Sequence, residues 1–359
     1  MFLSATRTLF PGAMGPDGFI SCFDHLIPES KLKRRLILKG GPGVGKSTFM
    51  RRLHASLCQN RERSTLYFCS GDPDSLDAVT IEDEGILILD GTAPHTIDPA
   101  IPGARDSIIN LGVCLDENAM RPRLPHIRAC MSDHAVICRR TRMHMKAAQV
   151  ISQDNAAIVQ SAVDPVRFSR MIEALALALI PQRSRGGDPP AIRRVITDAV
   201  TPKGELSLVP ENAAGRVIRL TARPDMDLSS ALQAVCQALC TAGYTVWTHL
   251  NPKQPGSLLH LTIPALDTLV TTSDLIPSEQ TYDFSSCLPQ GSLLRHECML
   301  EQGRAAAQMH IHQAISALTQ AKQLHDELET FYVPSMDFSR WQQIFDETLA
   351  SLSDLQAQE

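Results

Sequence analysis

The sequence predicts a duplicated α/β protein, with two mostly parallel sheets that are each flanked by helices and carry a helical insertion. Three observations support this fold class. A buried strand, a glycine-rich loop and an amphipathic helix follow one another between residues 35 and 57. The same order of elements recurs in the second half of the chain. In both halves, mostly helical sequence precedes a Phe-Ser-Arg segment.

Length and composition are those of an ordinary globular protein. The 359 residues are 43% hydrophobic and 20% charged, which suits two or three domains with their own cores. A formal net charge of -5 argues against a dedicated nucleic-acid binder. We expect neither a membrane span nor a signal peptide. The 10 cysteines are scattered without a C-x-x-C pair, which predicts reduced thiols and a cytoplasmic location.

The glycine-rich loop has the sequence of a phosphate-binding P-loop. Gly40, Gly45, Lys46 and Ser47 match G-x-x-x-x-G-K-[ST] between a predicted strand and a predicted helix. Glycines let backbone N–H groups curl around a polyphosphate, and the helix N-terminus attracts the anion. Lys46 is expected to reach the β- and γ-phosphates of ATP, and Ser47 to bind Mg²⁺. The predicted nucleotide-binding residues are Gly40, Gly41, Gly43, Val44, Gly45, Lys46, Ser47 and Thr48.

The elements after this loop complete the first predicted domain. The helix carries an apolar face at the spacing of an amphipathic helix, made by Phe49, Met50, Leu53 and Leu57. A short β-rich run at 65–69 and a polar loop at 70–79 come next. The apolar run 86–90 predicts a second buried strand that ends at Asp90.

Asp90 is the predicted Walker B carboxylate, which would hold Mg²⁺ through water. The next residue is Gly91, so the adjacent glutamate base of motor-like ATPases is missing. No N-K-x-D motif is present, so the sequence gives no support for GTP. The loop is also similar to those of small-molecule kinases, in which an acidic group after the second strand positions an acceptor hydroxyl.

Four further side chains are candidates for catalysis or substrate binding. Asp72, Asp74 and Asp77 follow the run 65–69, at an edge where ligands bind in open α/β sheets. We expect Asp74 or Asp77, before Asp72, to act as a base or to orient water. The alternative is that they form turns and cap helices. His95 is predicted to sense the γ-phosphate or bind substrate, or else to be a hydrogen-bonded loop residue.

The duplication rests on an ordered series of matches. The matched segments are 16–18 with 202–204, 35–38 with 217–220, 49–57 with 231–239, and 168–170 with 338–340. We therefore predict an active P-loop domain at 1–182, a linker at 183–192 and a duplicated domain at 193–359.

The helical insertions lie before the Phe-Ser-Arg segments. Residues 301–331 are rich in alanine and glutamine, which predicts one long helix or a helical hairpin, and 142–163 occupy the same place in the first half. The basic segment 121–146 is either a lid that brings an arginine to the phosphates or a solvated face. His310 and His312 do not share a helix face, so we do not predict a metal site there.

The second copy of the loop has lost its phosphate-binding residues. In ARPDMDLSS, residues 222–230, Asp225 and Asp227 replace two glycines and Leu228 replaces the lysine. Two carboxylates and a missing ammonium should abolish polyphosphate binding. Arg223 is either an arginine finger that faces the first site or part of a surface salt bridge.

Three segments, GGPGVGKST, SGDPDSLDAV and DGTAPH, together with the repeated P-x-G hairpin, resemble an uncharacterised bacterial family of tandem P-loop ATPase-like proteins. Members are described as ATP-binding proteins or candidate nucleotide kinases. The resemblance implies ATP binding at 40–48 and importance for Asp74, Asp77, Asp90 and His95. Family members can also carry a P-loop in the second half, and this chain departs from that pattern at Ala222, Asp225, Asp227 and Leu228.

The sequence thus predicts an ATP- and Mg²⁺-dependent enzyme with one active site. It would hydrolyse ATP or transfer the γ-phosphoryl group to a small molecule. The alternative is a nucleotide-dependent switch or adaptor with slow or no turnover. A nucleic-acid-linked ATPase is a weaker interpretation that rests only on the basic segment 121–146.

Overall fold

The computed structural model describes residues 6–58, 63–93, 96–180 and 190–356. Within these ranges, the chain is an α/β protein with two mixed six-stranded sheets flanked by helices. None of the helices in this part of the chain is long and apolar enough to cross a membrane. His95 and most of the predicted linker 183–192 lie outside the described residues.

The first sheet and a small hairpin are made entirely by the first half of the chain. The strands are β1 (Thr6–Leu9), the hairpin strands β2 (Gly12–Gly15) and β3 (Gly18–Ser21), then β4 (Arg34–Lys39), β5 (Ser64–Phe68), β6 (Leu76–Ile81), β7 (Ile86–Asp90) and β8 (Asp106–Asn110). Their order across the sheet is β1-β5-β6-β7-β4-β8. The strand before the glycine-rich loop, β4, therefore lies between β7 and β8 and is parallel to both.

The second half makes a sheet of the same topology. Its strands are β9 (Ile192–Val195), the hairpin strands β10 (Asp198–Thr201) and β11 (Gly204–Ser207), then β12 (Arg216–Thr221), β13 (Val246–Leu250), β14 (Leu258–Ile263), β15 (Thr268–Thr271) and β16 (Gln280–Asp283). The order β9-β13-β14-β15-β12-β16 repeats the first sheet strand for strand. The repeated order of sequence elements therefore has a counterpart in the strand topology.

Each sheet is mixed, with five of its six strands parallel to one another, as predicted, and one strand antiparallel. Strand β6 runs antiparallel to β5 and β7, and β14 runs antiparallel to β13 and β15. The assignment of 70–79 to a polar loop was therefore wrong for the part of it that lies in Leu76–Ile81. All six residues of this strand are buried. A strand covered on both faces shows no alternation of polar and apolar residues, so its sequence gave no strand signal.

Seven α-helices accompany the sheets in the described ranges. They are α1 (Lys46–Leu57), α2 (Glu117–Met120), α3 (Leu124–Ser161), α4 (Pro165–Leu179), α5 (Ser229–Thr241), α6 (Glu297–Tyr332) and α7 (Phe338–Gln356). The predicted amphipathic helix after the first loop is confirmed. Its buried residues are the predicted set Phe49, Met50, Leu53 and Leu57.

The longest helices, α3 and α6, lie against each other as an antiparallel pair. They have 38 and 36 residues, so each is roughly 55 Å long. Arg123 donates to the carbonyl oxygen of Phe331, and Asn155 donates to that of Leu300, at opposite ends of the pair. The predicted long helix at 301–331 is confirmed. The basic segment 121–146 belongs mostly to α3, which packs along α6 and is not a separate lid.

The last helix of each half packs on the sheet of the other half. In α4, Phe168 and Leu175 join the core around the second sheet and α5. In α7, Trp341 and Phe345 join the core around the first sheet and pack edge-on against Phe49 of α1. Each of these two cores therefore contains residues from both halves of the chain. The division of the sequence into domains at 1–182 and 193–359 stays a prediction. This exchange brings second-half residues to the first loop.

Candidate functional site

The glycine-rich loop connects the carboxyl end of β4 to the start of α1. Because β7 and β8 are parallel to β4, their carboxyl ends lie at the same edge of the sheet. Gly43 and Gly45 have φ angles of 67° and 81°, which side chains with a Cβ rarely adopt. The glycines thus allow the sharp turn that leads the backbone into α1 at Lys46.

The start of α1 offers backbone donors to an anion. No acceptor within the described ranges receives the N–H groups of residues 45–47, and Gly45 has no side chain to cap the helix. The first N–H groups of a helix lack partners in the helix itself, and the helix dipole places partial positive charge there. A phosphate group suits both features, so the loop fits the polyphosphate that its sequence predicts.

Lys46 and Asp90 meet at this loop although they are distant in sequence. The Lys46 ammonium donates to the carbonyl oxygens of Gly40 at 2.9 Å and Gly41 at 3.0 Å. It also lies 3.4 Å from Asp90 Oδ2, and the two side chains are only 12% and 16% exposed. The other oxygen of Asp90 accepts the N–H of Thr92 at 2.8 Å. The fold thus places a sheltered cation and a fixed carboxylate beside the open helix N-terminus.

Ser47 contacts the antiparallel strand. Its Oγ accepts the N–H of Leu76, the first residue of β6, at 2.9 Å. A hydroxyl oxygen has a second lone pair that remains available for Mg²⁺. The second half repeats this contact, since Ser229 Oγ accepts the N–H of Leu258 at 2.9 Å. The contact therefore belongs to the repeated fold and does not by itself mark a metal site.

Asp77 belongs to the same charged cluster. It is the second residue of β6 and is 7% exposed. Burial and the neighbouring Asp90 raise the pKa of Asp77 to about 7, although Cys69 and Lys46 act in the opposite direction. Of the acidic residues that follow β5, Asp77 is the one that the fold brings into electrostatic contact with both Lys46 and Asp90.

Asp74 and Asp72 face the second half of the chain instead. The Asp74 carboxylate is 75% exposed and lies 2.6 Å from the Lys203 ammonium, which lowers the pKa of Asp74. Asp72 accepts the Ser75 hydroxyl at 2.9 Å, as the turn interpretation expects, and lies 3.4 Å from Lys322. Both lysines come from the second half. A catalytic role for Asp74 stays a prediction, and the geometry favours Asp77.

The second half also covers one side of the loop. A Cβ on Gly41 would lie 2.7 Å from the Tyr332 ring, so this close approach requires glycine. Trp341 donates its indole N–H to the carbonyl oxygen of Val44 at 3.1 Å. Sequence reasoning missed Tyr332 and Trp341 because no local pattern connects them with the loop. The pairing of α6 with α3 brings Tyr332 there, and the packing of α7 on the first sheet brings Trp341.

We expect Trp341→Ala to lower the free energy of unfolding by about 3–5 kcal/mol, because it empties a buried site between the two halves. Trp341 is 6% exposed and lies edge-on to Phe49 with ring centroids 5.4 Å apart. Trp341→Phe keeps much of this packing and loses the bond to Val44, so it should cost about 1 kcal/mol. Urea unfolding monitored by circular dichroism measures both values. Equal stability of the alanine variant and the wild type would contradict the observed packing.

The corresponding loop of the second half, residues 222–230, already holds a carboxylate at its helix. Asp225 has a φ of 68°, close to the 67° of Gly43, so the turn is preserved at this position, whereas Asp227 at the position of Gly45 does not have a positive φ. Asp227 accepts the N–H of Ser229, at the start of α5, at 2.8 Å. This carboxylate neutralises part of the helix N-terminus that the first loop leaves open. An external phosphate would therefore compete with a fixed internal anion.

The remaining charges of the second loop are paired inside the molecule. Arg304 lies 2.5 Å from Asp225, and Arg223 lies 3.2 Å from Glu297 at the start of α6. The structure thus places Arg223 in a salt bridge, the second of its two predicted roles. Extending the strand registers puts Leu259 and Thr272 at the positions of Asp77 and Asp90. The second half lacks all the charged groups of the first site.

The donor set at the first loop fits magnesium better than a transition metal. Within the described ranges, no group of three or more histidine, cysteine, aspartate or glutamate side chains is arranged to hold a metal ion. Mg²⁺ binds a few protein oxygens and completes its shell with water and phosphate. Ser47 and Asp90 supply oxygens of this kind.

Comparison of the chain with protein-family models, curated proteins and solved structures gave no match.

Proposed function

We propose that the first half binds ATP with Mg²⁺ at the glycine-rich loop and promotes transfer of the γ-phosphoryl group to a small molecule or to water. The observation that carries this proposal is the Lys46–Asp90 pair beside the open N-terminus of α1. Together these groups provide backbone donors, a cation and a magnesium-binding carboxylate. Under this proposal the fold is P-loop NTPase-like, and the chain is related to the ATPase-like family that it resembles.

Each residue of the cluster has a distinct role in the proposal. The Lys46 ammonium exchanges the carbonyl oxygens of Gly40 and Gly41 for phosphate oxygens, which carry more negative charge. Ser47 and Asp90 hold Mg²⁺, which neutralises charge on the phosphates. These interactions strengthen as negative charge develops on the leaving phosphate, and they therefore stabilise the transition state.

Asp77 is the residue that we assign to the attacking group. Its buried carboxyl lies in the cluster with Lys46 and Asp90 and can accept a hydrogen bond from an acceptor hydroxyl or from water. This hydrogen bond would orient the nucleophile. In phosphoryl transfer, a protein acts mainly by positioning the reactants and by stabilising the developing charge. His95 remains a candidate from the sequence alone.

A nucleotide-dependent switch is the second candidate function. The loop between β5 and β6 leads directly into Leu76, which contacts Ser47. The same loop contacts the second half through Asp74–Lys203 and Asp72–Lys322. A change at the nucleotide can therefore alter the contacts between the halves. The glycine after Asp90 also removes the adjacent glutamate that supports fast hydrolysis in motor-like ATPases.

A turnover assay with Mg²⁺-ATP and a panel of nucleosides and small metabolites tests the proposal. We expect ADP release to increase strongly with one acceptor, and phosphate to appear on that acceptor. ATP binding with negligible turnover under all conditions would select the switch instead. Failure of the wild-type chain to bind ATP would contradict both candidate functions.

A further inference from the structure

We propose that Lys322, a residue of the second half, contacts the outermost phosphate of the nucleotide bound at the first loop, and that Asp72 holds it until the nucleotide binds. This inference rests on the proposed function and extends it. The second half of the chain, through α6, would then complete the site of the first.

The end of α6 places Lys322 near the loop. A Cβ on Gly43 would lie 3.4 Å from Glu329 Cβ, and Tyr332 covers Gly41 one turn later. Lys322 precedes Glu329 by two helical turns and therefore lies on the same face of α6. The separation along the helix axis is about 10 Å. The flexible four-carbon stem of lysine can bridge a large part of this distance.

The charges around Lys322 connect it to the phosphate-binding cluster. Its ammonium lies 3.4 Å from Asp72 and also pairs with Asp326, one turn along α6. Asp72 and Asp90 both act on the buried Asp77 carboxyl, so Asp72 belongs to the electrostatic surroundings of the site. Lys322 is 27% exposed, which leaves it sheltered enough for a strong charge interaction and still able to move.

A bound nucleotide would compete with Asp72 for this lysine. The terminal phosphate of ATP carries more negative charge than one carboxylate and presents three oxygen acceptors, so the ammonium gains by moving to it. ADP lacks this phosphate, and Lys322 should then stay with Asp72. Lys322 would thereby help the site to distinguish ATP from ADP.

The second loop has no lysine at the corresponding place. Counting back from the Phe-Ser-Arg repeat, the position of Lys322 in α6 corresponds to Ser152 in α3. The helix position that corresponds to Lys322 is thus neutral in the first half of the chain. A lysine at this helix position is therefore found only in the half that packs against the first loop, whereas Arg304, a cation beside the second loop, is already paired with Asp225 of that loop.

Lys203 provides a matched control. It also comes from the second half and also pairs with the acidic loop, through Asp74. However, Lys203 is 52% exposed and its partner is 75% exposed, so this pair lies on the outer side of the loop. A variant at Lys203 removes the same charge from the same interface without affecting the cluster.

The test measures the dissociation constants of Mg²⁺-ATP and Mg²⁺-ADP by calorimetry for the wild type, Lys322→Met, Lys203→Met and Asp72→Asn. We expect Lys322→Met to weaken ATP binding roughly 10-fold or more and to change ADP binding less than about 2-fold. Lys203→Met should change neither. Asp72→Asn should leave ATP binding unchanged or tighten it, because it removes the competing carboxylate.

The pair of variants separates a phosphate contact from a merely structural salt bridge. If Lys322–Asp72 only stabilised the interface, Lys322→Met and Asp72→Asn would weaken nucleotide binding in the same direction, and the inference would be wrong. Equal losses for ATP and ADP in Lys322→Met, or no loss at all, would also overturn it while leaving the proposed function intact. No ATP binding by the wild type would overturn both.

Discussion

Lys46→Ala is expected to weaken Mg²⁺-ATP binding roughly 100-fold or more. In the proposed complex the ammonium provides a charged hydrogen bond to phosphate, and such bonds contribute about 1.5–3 kcal/mol. Its removal also leaves the Asp90 carboxylate, which is 16% exposed, without its cation. This carboxylate would then repel the negatively charged phosphates. Calorimetric titration of the variant against the wild type measures the change.

Lys203→Ala is the control for this measurement. It removes an ammonium from an exposed ion pair, which contributes little, and should bind ATP within about 2-fold of the wild type. Circular dichroism should show that Lys46→Ala stays folded, since Lys46 contacts the loop and not a hydrophobic core. Equal affinity of wild type and Lys46→Ala for ATP would refute phosphate binding by this loop.

Asp77→Asn is expected to reduce phosphoryl transfer about 10²–10⁴-fold while ATP affinity changes only a few-fold. Asparagine keeps the shape of the side chain but cannot accept the proton of the attacking hydroxyl. The buried carboxyl of Asp77 lies with Lys46 and Asp90, where the nucleophile approaches under the proposed function. Single-turnover kinetics beside equilibrium binding separate the two effects.

Asp74→Asn distinguishes this assignment from the other sequence candidate. The exposed Asp74 pairs with Lys203, so its replacement should reduce the rate less than about 3-fold. A large rate loss in Asp74→Asn together with a normal rate in Asp77→Asn would transfer the catalytic role to Asp74. The same result would mean that the loop between β5 and β6 moves when substrate binds.

The sequence predicted those parts of the fold whose signals are local. The strand, loop and helix around Lys46 carry hydrophobic periodicity and glycines, which act within a few residues. The strand that ends at Asp90 and the long helix at 301–331 were predicted for the same reason. The buried strand β6 was missed because Asp77 interrupts its apolar run and tertiary burial determines its structure.

The parts of the site that sequence could not predict depend on contacts between distant segments. Tyr332 reaches the first loop because α6 pairs with α3, and Trp341 reaches it because α7 packs on the sheet of the other half. Lys322 belongs to α6. The composition of this segment predicts a long helix but does not show which part of the protein the helix packs against. Asp227 and Leu228 predict that the second loop does not bind phosphate. The structure adds that the Asp227 carboxylate accepts the N–H of Ser229 at the start of α5.

The stoichiometry of Mg²⁺-ATP binding to the wild-type chain tests the central claim most directly. The first loop has an open helix N-terminus with Lys46 beside it, whereas the second loop holds the Asp227 carboxylate and has Leu228 at the lysine position. Calorimetric titration should therefore show one ATP bound per chain, and this binding should weaken roughly 100-fold or more in Lys46→Ala. Binding of two ATP molecules per chain, or of none, would contradict the account.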